Sequence, residues 1–450
     1  MGTIVNAIYL SLFVMFCIFT LSRKYMYSAF IFLIFGTRGM AFLPAMTLKP
    51  RFFIFLCVFV FCIFNFKYVK RNIKNDWVIR SVFRLCLFFI FLMAFSILYW
   101  KLPIFSVMSA GIPYLIPMCI VIFLPLTNRE FNKLFTIVFY IAFIATILYI
   151  IQCLLGKAIL PMSWDQESVK LIAGPIHRFW AVPPFMGMLI HISIFCKKLV
   201  PPAFRAISPV LFMSGLLCTM YRTHIATAFL CIFLLMWLTG SLAKNFKSII
   251  VLLVIFAIFG STLTERVTRN NNSTMRDISS LLSGDLSMAK SNFSNGMTLM
   301  YRAGWVLERA AYLVKSPVEL MTGLPLTEDN TYMLRKYNFR FGLKNKNGEI
   351  TQATTPDIAY GMMLTRYGLI GTILLLRMIY LLLRRLYWYR HKNELSVVLF
   401  SMLFTEFIAA ISSVVLVEPT YWVSVFFLYD YAMRMIVGDP PKRIKSLPAK

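Results

Sequence analysis

Arg222, Arg302 and Asp357 stand where apolar stretches give way to polar ones, and they carry most of the chemistry this sequence offers. A guanidinium stays charged at physiological pH and presents paired N–H donors. Two arginines facing one space would therefore hold the oxygens of a phosphate-type anion. A carboxylate is a residue type that serves as general base. Each also has a plainer role. Arg222 can snorkel to headgroups, Arg302 can lie on a solvated helix face, and Asp357 can cap the helix it precedes. Five further residues are candidate binding groups. His224 follows Arg222 by two positions and can bind a ligand or cap its helix. Arg309 can take the role of Arg302, and His177 and Arg178 end the segment 154–179. Arg38 interrupts an apolar run, as a ligand contact or as a structural counter-ion, where an ionisable residue is costly. His191 lies in an apolar run and reads as a satisfied core histidine.

The elements that must position these residues follow from composition. Hydrophobic residues make up 59% of the 450 and charged residues 14%. That is too little charge for a water-facing surface, so the solvent is lipid. The 43 phenylalanines cluster in runs such as Phe52-Phe53-Ile54-Phe55-Leu56, without strand alternation. Such runs suit helices that are apolar all round. With roughly 20 apolar residues needed per crossing, spans are expected at about 5–21, 26–45, 52–68, 82–100, 105–125, 133–153, 180–196, 207–221, 224–240, 248–264, 358–383, 395–416 and 420–437. The expected fold is an all-α, polytopic membrane helix bundle of about 12–13 transmembrane helices with one large, partly helical outer loop. It divides into bundle helices at 1–264, the loop at 265–357, further bundle helices at 358–437 and a basic tail at 438–450.

The net charge of +28 falls in short clusters between apolar runs, among them Arg23-Lys24, Lys197-Lys198, Arg384-Arg385 and Lys442-Arg443. All fall on one side of the span parse, which is therefore read as cytoplasmic, with the C-terminus there. The segment 154–179, the turn at Arg222, the loop 265–357 and the turn near Glu418 fall on the other side. This distribution anchors topology and implies no nucleic acid. The nine cysteines sit in or beside apolar runs without CxxC spacing, so no disulfide framework is expected. No cleavable signal peptide is expected either. A Walker A sequence is lacking, and so is any outer DxD-like pair or His/carboxylate cluster. Neither ATP, another cofactor nor a metal is implied. The halves show no matching hydropathy repeat, which weighs against a transporter.

Within the loop, Met300, Ala303, Trp305, Val306, Ala310, Leu313 and Val314 recur at helical spacing and predict an amphipathic helix over 300–316, ended by Pro317. Gly323-Leu324-Pro325 reads as a tight turn. A loop this long is usually functional.

Three segments then resemble the bacterial O-antigen ligase and polymerase superfamily. Thr219-Met220-Tyr221-Arg222-Thr223 looks like that family's Ser-Arg turn, with Tyr221 in place of Ser. Tyr301-Arg302-Ala303-Gly304-Trp305 resembles its Arg-x-x-x-Trp helix start, one residue shorter. Asp357, ten residues and Gly368-Leu369-Ile370-Gly371 keep the spacing of its His and Gly-x-x-Gly, with Asp for His.

The resemblance implies a bacterial cytoplasmic-membrane glycosyltransferase with its loop and active site on the outer face. Its substrates would be polyprenyl-diphosphate-linked glycans, as donor and as acceptor, in a setting of membrane lipid. A chain-length regulator and a flippase would be further partners. Arg222 and Arg302 would hold the diphosphate and Asp357 would act as base, with His224, Arg309, His177, Arg178 and Arg38 as binding residues. The aspartate favours a polymerase of surface-polysaccharide repeat units. The alternatives are a ligase that moves the finished glycan to lipid A–core or protein, and a transporter or flippase of lipid-linked sugars.

Overall fold

The computed structural model describes residues 2–44, 50–164, 176–240, 299–329, 331–342, 349–354 and 358–438. Their regular elements are all helical, as a lipid environment demands of a chain that must satisfy its own backbone groups. In chain order they are α1 (Gly2–Leu21), α2 (Tyr25–Gly36), α3 (Pro50–Phe64), α4 (Phe66–Asn75), α5 (Trp77–Leu98), α6 (Ile104–Gly111), α7 (Ile120–Phe123), α8 (Asn128–Leu155), α9 (Met186–Phe195), α10 (Ser208–Cys218) and α11 (Arg222–Thr239). The long loop contributes α12 (Leu299–Val314), α13 (Pro317–Thr322) and α14 (Tyr332–Arg335). The chain then re-enters the bundle through α15 (Ala359–Met362), α16 (Gly368–Trp388), α17 (Glu394–Ala409) and α18 (Pro419–Val437).

Among the described residues, five helical stretches are long and apolar enough to cross a bilayer: Ile4–Leu21, Trp77–Leu98, Ile104–Phe123, Asn128–Leu155 and Arg222–Thr239. The third is α6 and α7 joined through the 3₁₀ stretch Ile112–Cys119, which Pro113 and Pro117 tighten. α3 and α4 together make a sixth candidate, but they bend by 93°. The span expected at 52–68 therefore stops at Phe64. The cause is composition: α4 carries Lys67, Lys70, Arg71 and Lys74, which hydrocarbon would not accept. α9 and α10 have 10 and 11 residues and pack against each other. At 1.5 Å per residue each covers about half the hydrocarbon thickness. The stretch expected at 358–383 is also divided, because its long helix starts only at Gly368 after a π-helical turn at Met363–Tyr367. The span expected at 248–264 and the tail at 439–450 lie outside the described residues.

The core is aromatic. Phe16, Phe32, Phe35, Phe61, Phe89, Phe123, Phe131 and Phe135 are fully buried, while Ile4, Phe64, Leu98, Phe105 and Trp237 remain exposed on the bundle surface. Large apolar side chains left outside in such numbers fit a hydrocarbon surrounding. Asp76 ties two helices at their ends. Its Oδ1 caps α5 by accepting from the Val78 and Ile79 amides at 2.8 and 3.2 Å. Its Oδ2 meets Arg385 near the end of α16, at 2.5 Å.

The loop has an apolar core of its own, made of Leu313, Leu324, Leu334, Tyr337, Phe339 and Ala353. The expected amphipathic helix is present as Leu299–Val314. Its buried face differs from the expected one, because Arg309 joins Trp305 and Leu313 inside while Val314 is 69% exposed. Several hydrogen bonds dock the loop on the bundle. Leu324 N–H donates to the Thr365 carbonyl at 2.7 Å, Leu326 N–H donates to Ser96 Oγ at 3.2 Å, Ser106 and Thr327 share a 2.7 Å bond, and Ser109 donates to Glu328.

Candidate functional site

The turn Thr219–Tyr221 brings Arg222 to the end of the bundle that carries the loop. Met220 holds a left-handed backbone (φ 54°) although it is not glycine, and it is buried. Such a conformation persists only where packing over-determines it. Here Met220 and Cys218 join Tyr149, Cys153, Leu160, Met162, Ile176, Phe179, Ala181 and Ala41 in a second apolar cluster. The turn leaves Tyr221 at the N-cap of α11 and Arg222 exposed as its first helical residue, with no acidic residue in that turn. A cation at the positive end of a helix dipole does not stabilise the helix. An anion placed there would gain from both.

The same cluster fixes the segment 176–181. Tyr149 Oη donates to the Phe179 carbonyl at 3.0 Å, and His177 N–H donates to the Cys153 carbonyl at 2.7 Å. The His177 ring lies against Gly156, where an added Cβ would sit 2.7 Å from Cε1. That glycine also ends α8 in a left-handed conformation. Arg178 then reaches Tyr221, with its Cζ 4.1 Å from the ring centroids of both Trp180 and Tyr221. Tyr221 in turn stacks on His224 at 5.0 Å, and Glu418 is within electrostatic reach of His224. Arg178 and His224, two candidates separated in sequence, thus meet through Tyr221.

The third set of contacts involves the exit of the loop. Ala359 N–H donates to the Ala410 carbonyl at 3.1 Å and to the Ser413 carbonyl at 2.9 Å. Thr223 Oγ1, beside Arg222, donates to the Ser412 carbonyl at 3.4 Å. The Arg222 turn and the loop exit are therefore pinned to one short segment, Ala410–Ser413. Helix α12 packs on α15, with Trp305 against Gly361. Arg302 precedes Trp305 by three residues and Val306 by four, so it shares that helix face. Its side chain is half-buried. Asp357 lies outside the described residues, and the N-cap position of α15 falls on Ile358.

Two candidates occupy other places than expected. Arg309 is 1% exposed. It pairs with Glu308, donates to the Phe341 and Gln352 carbonyls at 2.6 and 2.7 Å and lies over the Phe339 ring at 3.8 Å. Its guanidinium braces the loop from within, by joining the carbonyls of Phe341 and Gln352 to α12. Arg38 follows the end of α2 at Gly36 and opens the turn Arg38–Ala41, so it stands beyond a helix instead of inside one. Gly39 and Met40, both at positive φ, break the helix there. Ala41 enters the cluster beneath Phe179 and Met220, which brings this turn to the same end of the bundle.

Sequence reasoning missed Asp329 and Arg366. Asp329 Oδ1 accepts from Arg366 Nη2 at 2.9 Å and from the Ala353 amide at 3.1 Å, and Oδ2 accepts from Thr354 Oγ1 at 2.8 Å. Arg366 also donates to the Pro325 carbonyl at 3.3 Å. An arginine inside the apolar run 358–383 was a visible signal for Arg366. Asp329 had none. Among the described residues no group of His, Cys, Asp or Glu is arranged to hold a metal.

Compared with protein-family models and with curated proteins, the chain matches none. The fold itself places it among all-α, multi-pass membrane proteins. Its loop-bearing end gathers arginines, an imidazole and exposed aromatic rings, a set suited to an anion beside a hydroxyl-rich group.

Proposed function

We propose that this chain is a membrane glycosyltransferase that polymerises polyprenyl-diphosphate-linked oligosaccharide repeat units of a bacterial surface polysaccharide. It would work at the outer face of the cytoplasmic membrane. One observation carries the reading. The Arg222 turn and the residues that follow Asp357 are held on Ala410–Ser413, and the Arg302 helix packs on the same loop exit. The resemblance described above had assigned these three residues to one reaction.

In that reaction an acceptor hydroxyl attacks the anomeric carbon of the donor sugar, and the bond from that carbon to the diphosphate oxygen breaks. The hydroxyl proton passes to Asp357. The electron pair leaves with the diphosphate, whose growing charge Arg222 and Arg302 stabilise together with the α11 N-terminus. The energy comes from the diphosphate bond. The basic clusters Arg23-Lys24 and Arg384-Arg385 support reading the opposite end of the bundle as the cytoplasmic one.

The test is extension of a lipid-linked glycan by the purified chain in detergent. Arg222→Ala, Arg302→Ala and Asp357→Ala should each lower the rate by about 10²-fold or more. Full polymer from variants that express normally would overturn the assignment. Deletion in the source cell should accumulate single lipid-linked repeats. Accumulation of long lipid-linked polymer would identify a ligase, and absence of any extension would favour transport.

A further inference from the structure

Trp180 and Tyr221 form an aromatic notch for which the proposed chemistry has no use. Their ring centroids are 5.9 Å apart with planes inclined at 65°. The Arg178 guanidinium carbon lies 4.1 Å from each centroid. Two parallel faces around a guanidinium at that distance would stand about 8 Å apart, so Arg178 fills the angle between the rings instead of being sandwiched. The arrangement orients both rings, and Trp180 remains 52% exposed. Next to it in the chain, Phe179 and Ala181 are buried in the cluster that also holds Met220. Trp180 is thus pushed outward from a non-helical segment anchored on both sides.

We infer that this notch is a carbohydrate subsite, which stacks one hexopyranose unit of the glycan on Trp180 beside the Arg178–Tyr221–His224 row. The chemistry is specific. The axial C–H groups of a pyranose are weakly positive and match the negative face of an indole. The hydroxyls at the ring edge need donors and acceptors close by. Arg178 and the Tyr221 hydroxyl supply donors, His224 supplies either, and Glu418 supplies an acceptor within electrostatic reach of His224. That carboxylate also disfavours a second phosphate here and leaves the diphosphate to Arg222 and Arg302. The subsite rests on the glycan-transfer reading and adds to it where the sugar chain is gripped.

The experiment uses the full chain in detergent with lipid-free linear oligosaccharides of glucose, galactose, mannose and N-acetylglucosamine as probes. Saturation-transfer NMR should show transfer to pyranose ring protons for at least one probe. Trp180→Ala should weaken that binding by about tenfold or more, while Trp180→Phe keeps most of it. An unchanged thermal midpoint for Trp180→Ala shows that the fold is intact. Equal binding by wild type and Trp180→Ala, as a membrane anchor would give, overturns the subsite. So does the absence of binding by every probe. If lipid-linked extension persists with unchanged acceptor KM in Trp180→Ala, the subsite falls and the transferase reading stands. If extension is never seen but sugar binding depends on Trp180, the transferase reading falls and the subsite stands.

Discussion

Gly323 of the loop and Gly368 at the start of α16 meet backbone to backbone. A Cβ on Gly323 would lie 2.7 Å from the Thr365 carbonyl oxygen and 3.0 Å from the Gly368 nitrogen. A Cβ on Gly368 would lie 2.5 Å from the Met321 carbonyl oxygen. Both residues have positive φ, 81° and 58°. This contact seats the loop on the bundle next to the Leu324–Thr365 hydrogen bond. The second glycine of the Gly-x-x-Gly pair has a separate partner, since a Cβ on Gly371 would come within 2.5 Å of the Phe88 ring.

Gly323→Ala and Gly368→Ala should each destabilise by about 2–4 kcal/mol, through left-handed strain plus overpacking against backbone that cannot rotate away. Gly187→Ala is the control, because it lies in α9 with nothing within 4 Å of an added Cβ. It should be neutral or slightly stabilising. Thermal unfolding of the purified chain in one detergent reads all three. Equal midpoints would remove the contact from any account of how the loop is seated.

Asp329 joins three segments, so its loss should cost more than its exposure suggests. Arg366 is 5% exposed and Asp329 29%. Asp329→Ala leaves a buried cation without this partner and releases Ala353 and Thr354. We expect a loss of about 2–3 kcal/mol, under the 3–5 of a fully buried pair because Asp329 is partly solvated. Adding Arg366→Met should restore part of that stability but not hydrogen-exchange protection at 349–354. If Asp329→Ala leaves that protection as in wild type, the carboxylate is not the anchor.

Arg309 should behave as a brace and not as a ligand contact. Its substitution by Ala removes the guanidinium partner of Glu308 and of the Phe341 and Gln352 carbonyls. A loss of about 3–5 kcal/mol is expected, borne by the loop. Arg309→Lys should rescue little, because one ammonium cannot reach a carboxylate and two carbonyls in the same fork. Limited proteolysis between α12 and α15 is the measurement. Wild-type resistance combined with a raised KM would instead make Arg309 a substrate contact.

Tyr337 gives the loop a pH dependence. Its hydroxyl donates to Glu319 at 2.9 Å. Burial first, and the neighbouring Glu319 second, push its pKa above the ordinary value. The folded value exceeds the unfolded one. The contribution is therefore complete below about pH 10 and is lost as pH rises toward the folded value. Loop protection should stay level between about pH 6 and 9 and fall above about pH 10. Tyr337→Phe should lose about 1 kcal/mol at neutral pH and show a weaker alkaline fall. Identical alkaline curves for the two proteins would exclude Tyr337 as the responsible group.

Much of the fold was legible in the sequence. The excess of apolar residues announced lipid, because the drive to remove apolar surface from water is additive and needs no geometry. Helices followed, because lipid leaves the backbone no other partner in an open chain. The 3.6-residue period found α12 inside the loop and Pro317 marked its end. The bend after Phe64 was missed, because the expected span ran on to residue 68 although the lysines of α4 were in plain view.

What no local pattern could supply was the set of meetings between distant segments. Thr223 reaches Ser412, Asp329 reaches Arg366 and Thr354, Arg178 reaches Tyr221, and Gly323 faces Gly368. Arg309 looked like a solvated or ligand-facing cation because a helical period records its direction only, and the carbonyls of Phe341 and Gln352 come from residues 32 and 43 positions away. By itself the sequence determined the solvent, the helices and the residue types available for chemistry. The tertiary structure decided which charges are spent on holding the loop and which remain at its end of the bundle. Long-range partners satisfy or expose a group according to packing that composition and periodicity do not encode.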